Sequence, residues 1–413
     1  MRIVDVCAFY SPAGGGVRTY VDAKLRAAAR FGHELIVIAP GKHHETIRRG
    51  PGAILVTLPS PKLPVDQRYR YFDDQRALHN VLNEWQPDHV EASSPWSSAT
   101  MVGRWDGAAT RSLVMHSDPL AAYAYRWLGG IAKIDTIDSW LGRFWRHLRG
   151  LSRMFDVVVC ANAQLTDRLK SGGLANSETL PMGVEAGIFS PRLRSPAVRA
   201  AALQTLGLNE DALLLVGIGR FSGEKRWDMV MRAVEGCSAR HEVGLLLFGD
   251  GPKRQKLEVL DERLRSVAVM PRLSNRDEVA RLLASADALV HGCEAETFCM
   301  VAAEARASGI PLIVPDRGAA MDQLVPGAGL TYSAASERSL ERAIARFINR
   351  GPEFQRAAAA RASDVRTMDA HFADLFERYA QILPAPLYQP AAGLALLDIL
   401  PEVSLARSVV SGA

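Results

Sequence analysis

Residues 291–309 read H-G-C-E-A-E-T-F-C-M-V-A-A-E-A-R-A-S-G, the most informative run in the chain. The run sets Glu296 and Glu304 eight positions apart around an apolar stretch. A helix that begins near Thr297 would have Glu296 at its N-terminal mouth and Glu304 about two turns inside. Helix N-termini bind anions through unpaired N–H groups, and a carboxylate beside them can accept hydrogen bonds from hydroxyl groups. This combination suits a sugar joined to a diphosphate. An ordinary amphipathic helix with an acidic first turn is the alternative, since the helix dipole favours it.

The length and composition indicate a globular protein of two domains. A chain of 413 residues exceeds one ordinary core, and 48% hydrophobic with 23% charged residues is typical of globular domains. A net charge of +4 is too small to indicate a nucleic-acid partner. The five cysteines form no C-x-x-C pair, which favours a reduced, cytoplasmic protein. The chain enters a strand-like run at once, without a signal-peptide pattern or an 18-residue apolar window, so we expect membrane contact to be peripheral at most.

Short apolar runs alternate with helical patterns, and this alternation predicts parallel sheets built from βαβ units. The pattern restarts after a Pro- and Arg-rich stretch at 181–196. We therefore predict an α/β protein of two doubly wound, Rossmann-like domains, at 1–185 and 186–365, with a C-terminal helix and tail at 366–413 that pack back towards the N-terminal domain. Ligands of such sheets bind beyond the C-terminal ends of the strands, so we expect the site in the cleft between the domains. The predicted strands are 3–6, 34–39, 53–58, 89–92, 112–116 and 157–160, then 213–217, 244–248, 267–270, 288–291 and 311–314.

A glycine turn after the strand at 213–217 carries two cations, Arg220 and Lys225. Its spacing fits neither a Walker A loop nor G-x-G-x-x-G, because Gly223 comes one position late. Arginine offers a rigid fork to phosphate oxygens and lysine a mobile charge, so the turn suits a diphosphate. Two solvated surface cations are the alternative. The G-D-G-P run at 249–252 is by itself only a turn signal.

Three glycines, at 14–16, follow the first strand and precede a helical pattern, which allows the backbone to approach a ligand closely. His116 ends another predicted strand, where a histidine is more often structural. Ser94 and Trp96 follow the strand at 89–92 and are expected to line the same side. The acidic D-x-D run that would hold a metal is missing, and its nearest equivalent is E-A-E at 294–296. We therefore predict no metal and no cofactor.

These motifs, in this order, resemble glycosyltransferase family 4, whose members are retaining enzymes of the GT-B fold. The chain matches the family's E-x7-E string except at Cys299, where the family usually has glycine. The resemblance implies that the diphosphate of a nucleoside diphosphate sugar binds to Arg220 and Lys225, that Glu296 holds the sugar, and that Glu304 holds the ribose. It implies a role at the transferred sugar or acceptor for His116, which makes His116, Glu296, Arg220 and Lys225 the candidate catalytic residues. The further donor-side positions are Gly15, Gly16, Gly249, Gly251, Phe298, Cys299, Met300 and Val301, and the acceptor-side positions are Tyr20, Ser94, Trp96 and Asp118.

A Trp-rich amphipathic stretch runs from Ile137 to Met154, with arginines largely on its other faces. Such a helix can lie on an anionic membrane, or it can cover the N-terminal sheet. A lipid acceptor and peripheral contact with the inner face of the membrane therefore stay open.

The resulting prediction is the transfer of a hexose from a UDP- or GDP-sugar to an alcohol, which is either a glycolipid or a glycan precursor. Three alternatives are a bilobed binding protein, which usually carries an export signal, a phosphorylase-type relative, and a catalytically inactive nucleotide-sugar sensor. The nucleobase, the sugar and the acceptor stay open.

Overall fold

The computed structural model describes residues 1–11, 14–64, 66–128 and 131–384. In this part of the chain, eight strands form one sheet in the order β10-β9-β8-β7-β1-β2-β4-β3. All neighbours in it are parallel except β3 and β4. The strands are β1 (Arg2–Cys7), β2 (Glu34–Gly41), β3 (Glu45–Gly50), β4 (Ala53–Pro59), β7 (His89–Ser93), β8 (Thr110–Met115), β9 (Val157–Cys160) and β10 (Ser177–Thr179), and β5 (Lys62–Leu63) and β6 (Asp66–Arg70) form a separate hairpin.

The central strands β1 and β7 of this sheet are almost entirely buried, as is typical of parallel sheets whose faces are covered by helices. A π-helix at Leu120–Tyr125 follows β8. The helices are α1 (Gly16–Arg30), α2 (Gln75–Trp85), α3 (Ser97–Gly103), α4 (Arg126–Leu128), α5 (Ile134–Trp140), α6 (Gly142–Ser152) and α7 (Ala163–Ser171).

A second sheet holds six described strands, all parallel, in the order β13-β12-β11-β14-β15-β16. Its strands are β11 (Leu213–Ile218), β12 (Val243–Phe248), β13 (Val267–Met270), β14 (Ala288–Val290), β15 (Leu312–Pro315) and β16 (Gly329–Tyr332). Its helices are α8 (Pro196–Thr205), α9 (Trp227–Ser238), α10 (Arg254–Asp261), α11 (Arg276–Ser285), α12 (Met300–Ala307), α13 (Ala319–Asp322) and α14 (Glu337–Ala360), with 3-10 turns at Pro191–Leu193, Gly223–Lys225 and Ala362–Asp364. The two parallel sheets confirm the predicted α/β class.

The last described helix, α15 (Met368–Ile382), returns to the first sheet. Thr367 caps it and pairs with Val184 in an isolated parallel bridge. Its buried face packs Phe372, Phe376 and Tyr379 beside α1 and β8. The chain therefore crosses between the sheets twice, and α15 belongs spatially to the first. The predicted boundaries at 185/186 and 365/366 fall between secondary-structure elements and stay predictions, and residues 385–413 of the predicted tail lie outside the described residues.

Two helix predictions were wrong in detail. The helix expected from Thr297 begins three residues later, at Met300, because Cys299 has left-handed backbone angles (φ 62°, ψ 67°) that end the preceding turn. The Trp-rich stretch forms two helices, α5 and α6, which are separated at Leu141. No described helix is both long and apolar enough to cross a membrane.

Candidate functional site

Lys225 and Glu296 form an ion pair at the C-terminal edge of the second sheet. The turn after β11 carries Lys225, and the loop after β14 carries Glu296. Lys225 Nζ donates to Glu296 Oε1, and His291 Nε2 lies 3.0 Å from the same oxygen. The Lys225 and Glu296 side chains are 16% and 20% exposed, so the pair can be reached from the cleft.

The electrostatics of this pair favour both charges. Burial alone would raise the pKa of the Glu296 carboxyl, but the charge of Lys225 and the contact with His291 hold it below its usual range. Burial likewise opposes the charge of Lys225, yet Glu296 raises the pKa of the ammonium group. Burial lowers the pKa of His291, so its ring is neutral at pH 7. The site therefore offers one fixed cation beside one fixed carboxylate.

The glycines near Arg220 are explained by close packing of two turns. A Cβ atom on Gly249 would lie 2.0 Å from the Gly219 carbonyl oxygen, and one on Gly251 would lie 2.5 Å from that of Phe221. The Arg220 guanidinium lies 5.2 Å from the centre of the Tyr69 ring, in the other half of the molecule. These glycines thus hold the turn that presents Arg220 to the cleft.

The N-termini of α1 and α12 meet across the cleft. A Cβ atom on Gly16, the first residue of α1, would lie 3.3 Å from Met300 Sδ at the start of α12. Gly15 has open space in front of its Cβ position. Phe298 and Cys299 are buried, and Met300 and Val301 are half-buried. The N-termini of α1 and α12, each with unpaired N–H groups, therefore lie in the same region as Lys225.

Glu304 lies inside α12 and is 4% exposed. Its Oε1 accepts from Arg276 Nη2 at 2.8 Å, and Arg276 Nε donates to Glu185 at 3.1 Å. Burial raises the pKa of the Glu304 carboxyl although the charge of Arg276 opposes this. A hydroxyl pair that binds at Glu304 would therefore meet Arg276 as well, a residue that the sequence did not single out.

His116 follows β8 at the opposite wall of the cleft. Its carbonyl oxygen accepts from Thr297 Oγ1 at 3.0 Å, which places the backbone of His116 next to the loop that carries Glu296. Burial lowers the pKa of His116 to about 4. The structure thus brings His116 and Glu296 to one cleft from the two sheets.

Three of the four predicted acceptor-side residues, Tyr20, Ser94 and Asp118, are buried. Tyr20 is 1% exposed, and its ring packs edge-on against His116 with centroids 4.9 Å apart. Asp118 accepts from the Leu120 and Ala121 N–H groups and pairs with Arg168. Ser94 is 1% exposed, whereas Trp96 is 37% exposed. Tyr20, Ser94 and Asp118 are therefore packed inside the first domain near His116, and their roles at the acceptor stay predictions.

Sequence reasoning missed several polar residues of the cleft. Arg226 forms a two-bond pair with Glu294 beside Lys225. Arg272 Nη2 donates to the Gly14 carbonyl at 3.0 Å, and Asn162 Nδ2 donates to that of Thr297 at 2.6 Å. Both of the latter bonds join the two halves of the molecule. The K-R run at 225–226 and the E-A-E run at 294–296 show that both charges of the Arg226–Glu294 pair lie next to predicted site residues. No local pattern indicates hydrogen bonds between distant segments.

One group of residues in the described chain has the side chains to bind a metal. His291, Glu296 and Cys299 each place one ligand atom within 4.8 Å of the others. Lys225 already holds the Glu296 carboxylate, and burial keeps the pKa of the Cys299 thiol well above its usual value. A cation would have to displace an ammonium group and deprotonate a buried thiol, so these residues fit a metal poorly. That the reaction needs no metal stays a prediction.

Two protein-family models match the chain in order. The model "Glycosyl transferase 4-like domain" matches residues 15–183, and "Glycosyl transferases group 1" matches residues 198–364. Together they cover both sheets except β1, which precedes the first match, and they include Lys225, Glu296 and His116.

Relatives and solved structures agree with these matches. The chain is 29% identical over 375 residues, 89% of this chain and 93% of the relative, to a GDP-mannose-dependent alpha-(1-6)-phosphatidylinositol dimannoside mannosyltransferase of Mycobacterium tuberculosis. It is 26% identical to a GDP-mannose-dependent alpha-mannosyltransferase of Corynebacterium glutamicum, over 97% of this chain and 95% of that one. Its fold matches sucrose-phosphate synthase of Thermosynechococcus elongatus (TM-score 0.74, 18% identity, 93% and 100% covered) and Anabaena HepE with UDP and glucose (TM-score 0.67, 16% identity, 92% and 100% covered).

Proposed function

The chain belongs to glycosyltransferase family 4, with the GT-B fold, and from this premise we propose that it transfers mannose from GDP-mannose, with retention, to a hydroxyl group of a phosphatidylinositol-type glycolipid. That it is a nucleotide-sugar glycosyltransferase follows from the family and its relatives. The donor and the acceptor are the finer step. They are supported by the names of two relatives that align over most of the chain: both are GDP-mannose-dependent mannosyltransferases, and the name of one includes phosphatidylinositol dimannoside.

The observation on which the proposal rests is the Lys225–Glu296 ion pair near the N-termini of α1 and α12. A glycosyl transfer from such a donor breaks the bond between the anomeric carbon and a diphosphate oxygen, so negative charge develops on that oxygen. Lys225, the exposed Arg220 and the N–H groups at the start of α12 surround one region and stabilise this charge. In this proposal, these groups of the chain stabilise the negative charge that a bound metal ion stabilises in other enzymes.

Glu296 supplies the contact to the sugar. Its carboxylate is ionised and partly exposed, and one of its oxygens lies at hydrogen-bonding distance from both Lys225 Nζ and His291 Nε2. A carboxylate only accepts hydrogen bonds, so it selects ligand hydroxyl groups. In this arrangement the diphosphate lies at Lys225, the sugar hydroxyls lie at Glu296, and the ribose hydroxyls lie at Glu304 and Arg276.

An exposed aromatic surface beside the acceptor wall supports a lipid acceptor. Trp127 of α4 is 62% exposed and Trp140 of α5 is 58% exposed. Tyr125, at the end of the π-helix that precedes α4, donates a hydrogen bond of 2.5 Å to Asp138 of α5. In contrast, Trp145 of α6 is 6% exposed and belongs to the core. Tryptophan side chains favour the membrane–water interface, and the exposed Arg143 adds attraction to anionic lipid. We therefore place the lipid contact on the segment before α6, and the predicted Trp-rich stripe of α6 serves the core.

A product assay tests the proposal. Purified protein is incubated with GDP-mannose, UDP-glucose or UDP-galactose, together with phosphatidylinositol or its mannosides in mixed micelles, and the lipids are analysed by mass spectrometry. We expect one added hexose from GDP-mannose, a mannosylated lipid acceptor, and no product in the Glu296→Gln variant. Transfer from a UDP-sugar alone would contradict the donor assignment. Tight nucleotide-sugar binding without any transfer or hydrolysis would favour an inactive sensor.

A further inference from the structure

One ring nitrogen of His116 is bonded to a buried serine, and His116 itself is only partly buried. Ser93 ends β7 and is paired in register with Val114 of β8, so its hydroxyl lies beside the residue that follows β8. Ser93 Oγ lies 3.2 Å from His116 Nε2, and Ser93 is 1% exposed. Within the described chain, Nδ1 of His116 has no hydrogen-bond partner, and the residue retains part of its exposure. One nitrogen is therefore held by the protein, and the other is left for a ligand.

The Ser93 hydroxyl proton is already committed to carboxylates. Ser93 Oγ lies 2.9 Å from Asp5 Oδ1, and Glu91 Oε1 lies further away, at 3.5 Å. Ionised carboxylates only accept hydrogen bonds, so the Ser93 O–H must donate to one of them. Its oxygen can then only accept from His116, which requires a proton on Nε2.

A buried lysine keeps both carboxylates ionised. Lys24 is fully buried, and its Nζ donates to Asp5 Oδ2 at 3.2 Å and also to Glu91. Tyr379 of α15 donates to Glu91 as well, at 2.6 Å. Burial and the charge of Glu91 raise the pKa of Asp5 to about 6, which is still below neutral pH, and although burial opposes it, Lys24 lowers the pKa of Glu91. At pH 7 and above, both groups therefore act as acceptors.

We propose that Asp5 and Ser93 are positioning residues that hold His116 in its Nε2–H tautomer, so that the Nδ1 lone pair accepts a hydrogen bond from a substrate hydroxyl group. The inference rests on the proposed transferase function, because it assumes that a sugar or an acceptor alcohol occupies the cleft. The opposite tautomer would set the Nε2 lone pair against the Ser93 oxygen and would present an N–H group to the hydroxyl. The Asp5–Ser93–His116 chain thus selects hydroxyl donors at this wall of the site.

The same sheet contains a matched control. His89 of β7 is fully buried, and its Nε2 lies 2.8 Å from Ser112 Oγ of β8, while its Nδ1 lies 2.9 Å from Thr110 Oγ1. Ser112 and Ser93 are both buried serines bonded to a histidine ring, but only the His116 ring reaches the cleft. Replacing Ser112 by alanine therefore removes a comparable buried serine–histidine hydrogen bond without removing a hydrogen-bonding partner of His116.

The direct test is the tautomer of His116 in the full-length protein, read from long-range ¹H–¹⁵N NMR of ¹⁵N-histidine-labelled samples and assigned with His116→Gln. We expect Nε2 protonated in the wild type, a loss of this preference in Ser93→Ala, and its recovery in Ser93→Thr. A wild-type ring protonated at Nδ1 would overturn the inference. Because this readout needs no activity, it separates failure of the inference from failure of the proposed function.

Kinetics complete the test and identify the hydroxyl. Ser93→Ala should lower turnover about tenfold relative to Ser112→Ala, the scale of one hydrogen bond, and Ser93→Thr should restore it. If the hydroxyl belongs to the donor sugar, hydrolysis of the donor without acceptor falls equally. If it belongs to the acceptor, only transfer falls. Equal turnover in Ser93→Ala and Ser112→Ala would overturn the positioning role.

Discussion

Replacing Lys225 with alanine should lower turnover by about 10²–10³ while the protein stays folded. The ammonium group lies against Glu296 in a site where both side chains are less than a quarter exposed, so solvent screens its charge weakly. A donor directed at charge that develops in the transition state contributes about 2.7–4 kcal/mol. Arg220→Ala should act in the same direction, because its turn presents a second cation to the same region.

Single-turnover transfer from labelled donor, with enzyme in excess, measures this effect without product release. Lys256→Ala is the matched control, because Lys256 pairs with Asp228 at 3.0 Å on the surface of the same domain and is 61% exposed. A surface pair of this kind contributes about 0–1 kcal/mol, so Lys256→Ala should be close to wild type in rate and melting temperature. A Lys225→Ala rate within about threefold of the Lys256→Ala rate would refute the diphosphate assignment, since it corresponds to less than 1 kcal/mol.

Four further predictions follow from the site and the fold. Glu296→Gln should abolish turnover yet keep nucleotide affinity. Glu304→Ala should instead weaken GDP binding by about 1.5–3 kcal/mol, measured by calorimetric titration. If the two effects are reversed, the donor binds with its sugar at Glu304 and its ribose at Glu296. Transfer should survive EDTA, and a complete loss that Mg²⁺ or Mn²⁺ restores would show that a metal site was missed. Wild-type protein should co-sediment with anionic vesicles and the Trp127→Ala/Trp140→Ala double variant should not; wild type that stays in the supernatant would remove the lipid surface. Burial lowers the pKa of His371 to about 3 in the folded state, so its contribution to stability is present above about pH 6.5 and is lost as the pH falls below that value, by up to about 1.4 kcal/mol per pH unit. His371→Gln should therefore reduce the dependence of the free energy of unfolding on pH, measured by urea unfolding. An unchanged pH dependence would contradict this prediction.

The sequence predicted the strands of both sheets well because apolar runs mark buried parallel strands. The strands predicted at 157–160 and 267–270 match β9 and β13, and the others differ at their ends by one or two residues. The strands that were missed lack this signal. β3, β10 and β16 each lie at an edge of their sheet, and β5 and β6 form the separate hairpin. The sequences of the three edge strands, E-T-I-R-R-G, S-E-T and G-L-T-Y, lack the run of apolar residues on which such predictions depend.

Cys299 shows what the structure adds to a motif. The resemblance placed it where the family usually has glycine, and the backbone there has φ of 62°, a region that favours glycine. The usual glycine thus has a conformational reason, and this chain holds a cysteine in the same conformation. No pattern within one sequence reports a backbone angle of this kind.

Contacts between distant segments were beyond the reach of the sequence. The partner of Glu304 is Arg276, which is 28 positions away on another helix. The support of His116 comes from Asp5 and Ser93 on two other strands, and Tyr379 reaches the same cluster from the last described helix. Such partners depend on strand order and helix packing, which local spacing does not encode.

A crystal structure of the protein with GDP-mannose tests the central claim most directly. We expect a diphosphate oxygen at about 3 Å from Lys225 Nζ, a sugar hydroxyl at a similar distance from the Glu296 carboxylate, and the sugar ring between Glu296 and His116. A diphosphate bound away from Lys225 and the start of α12, or a sugar that does not contact Glu296, would contradict the account.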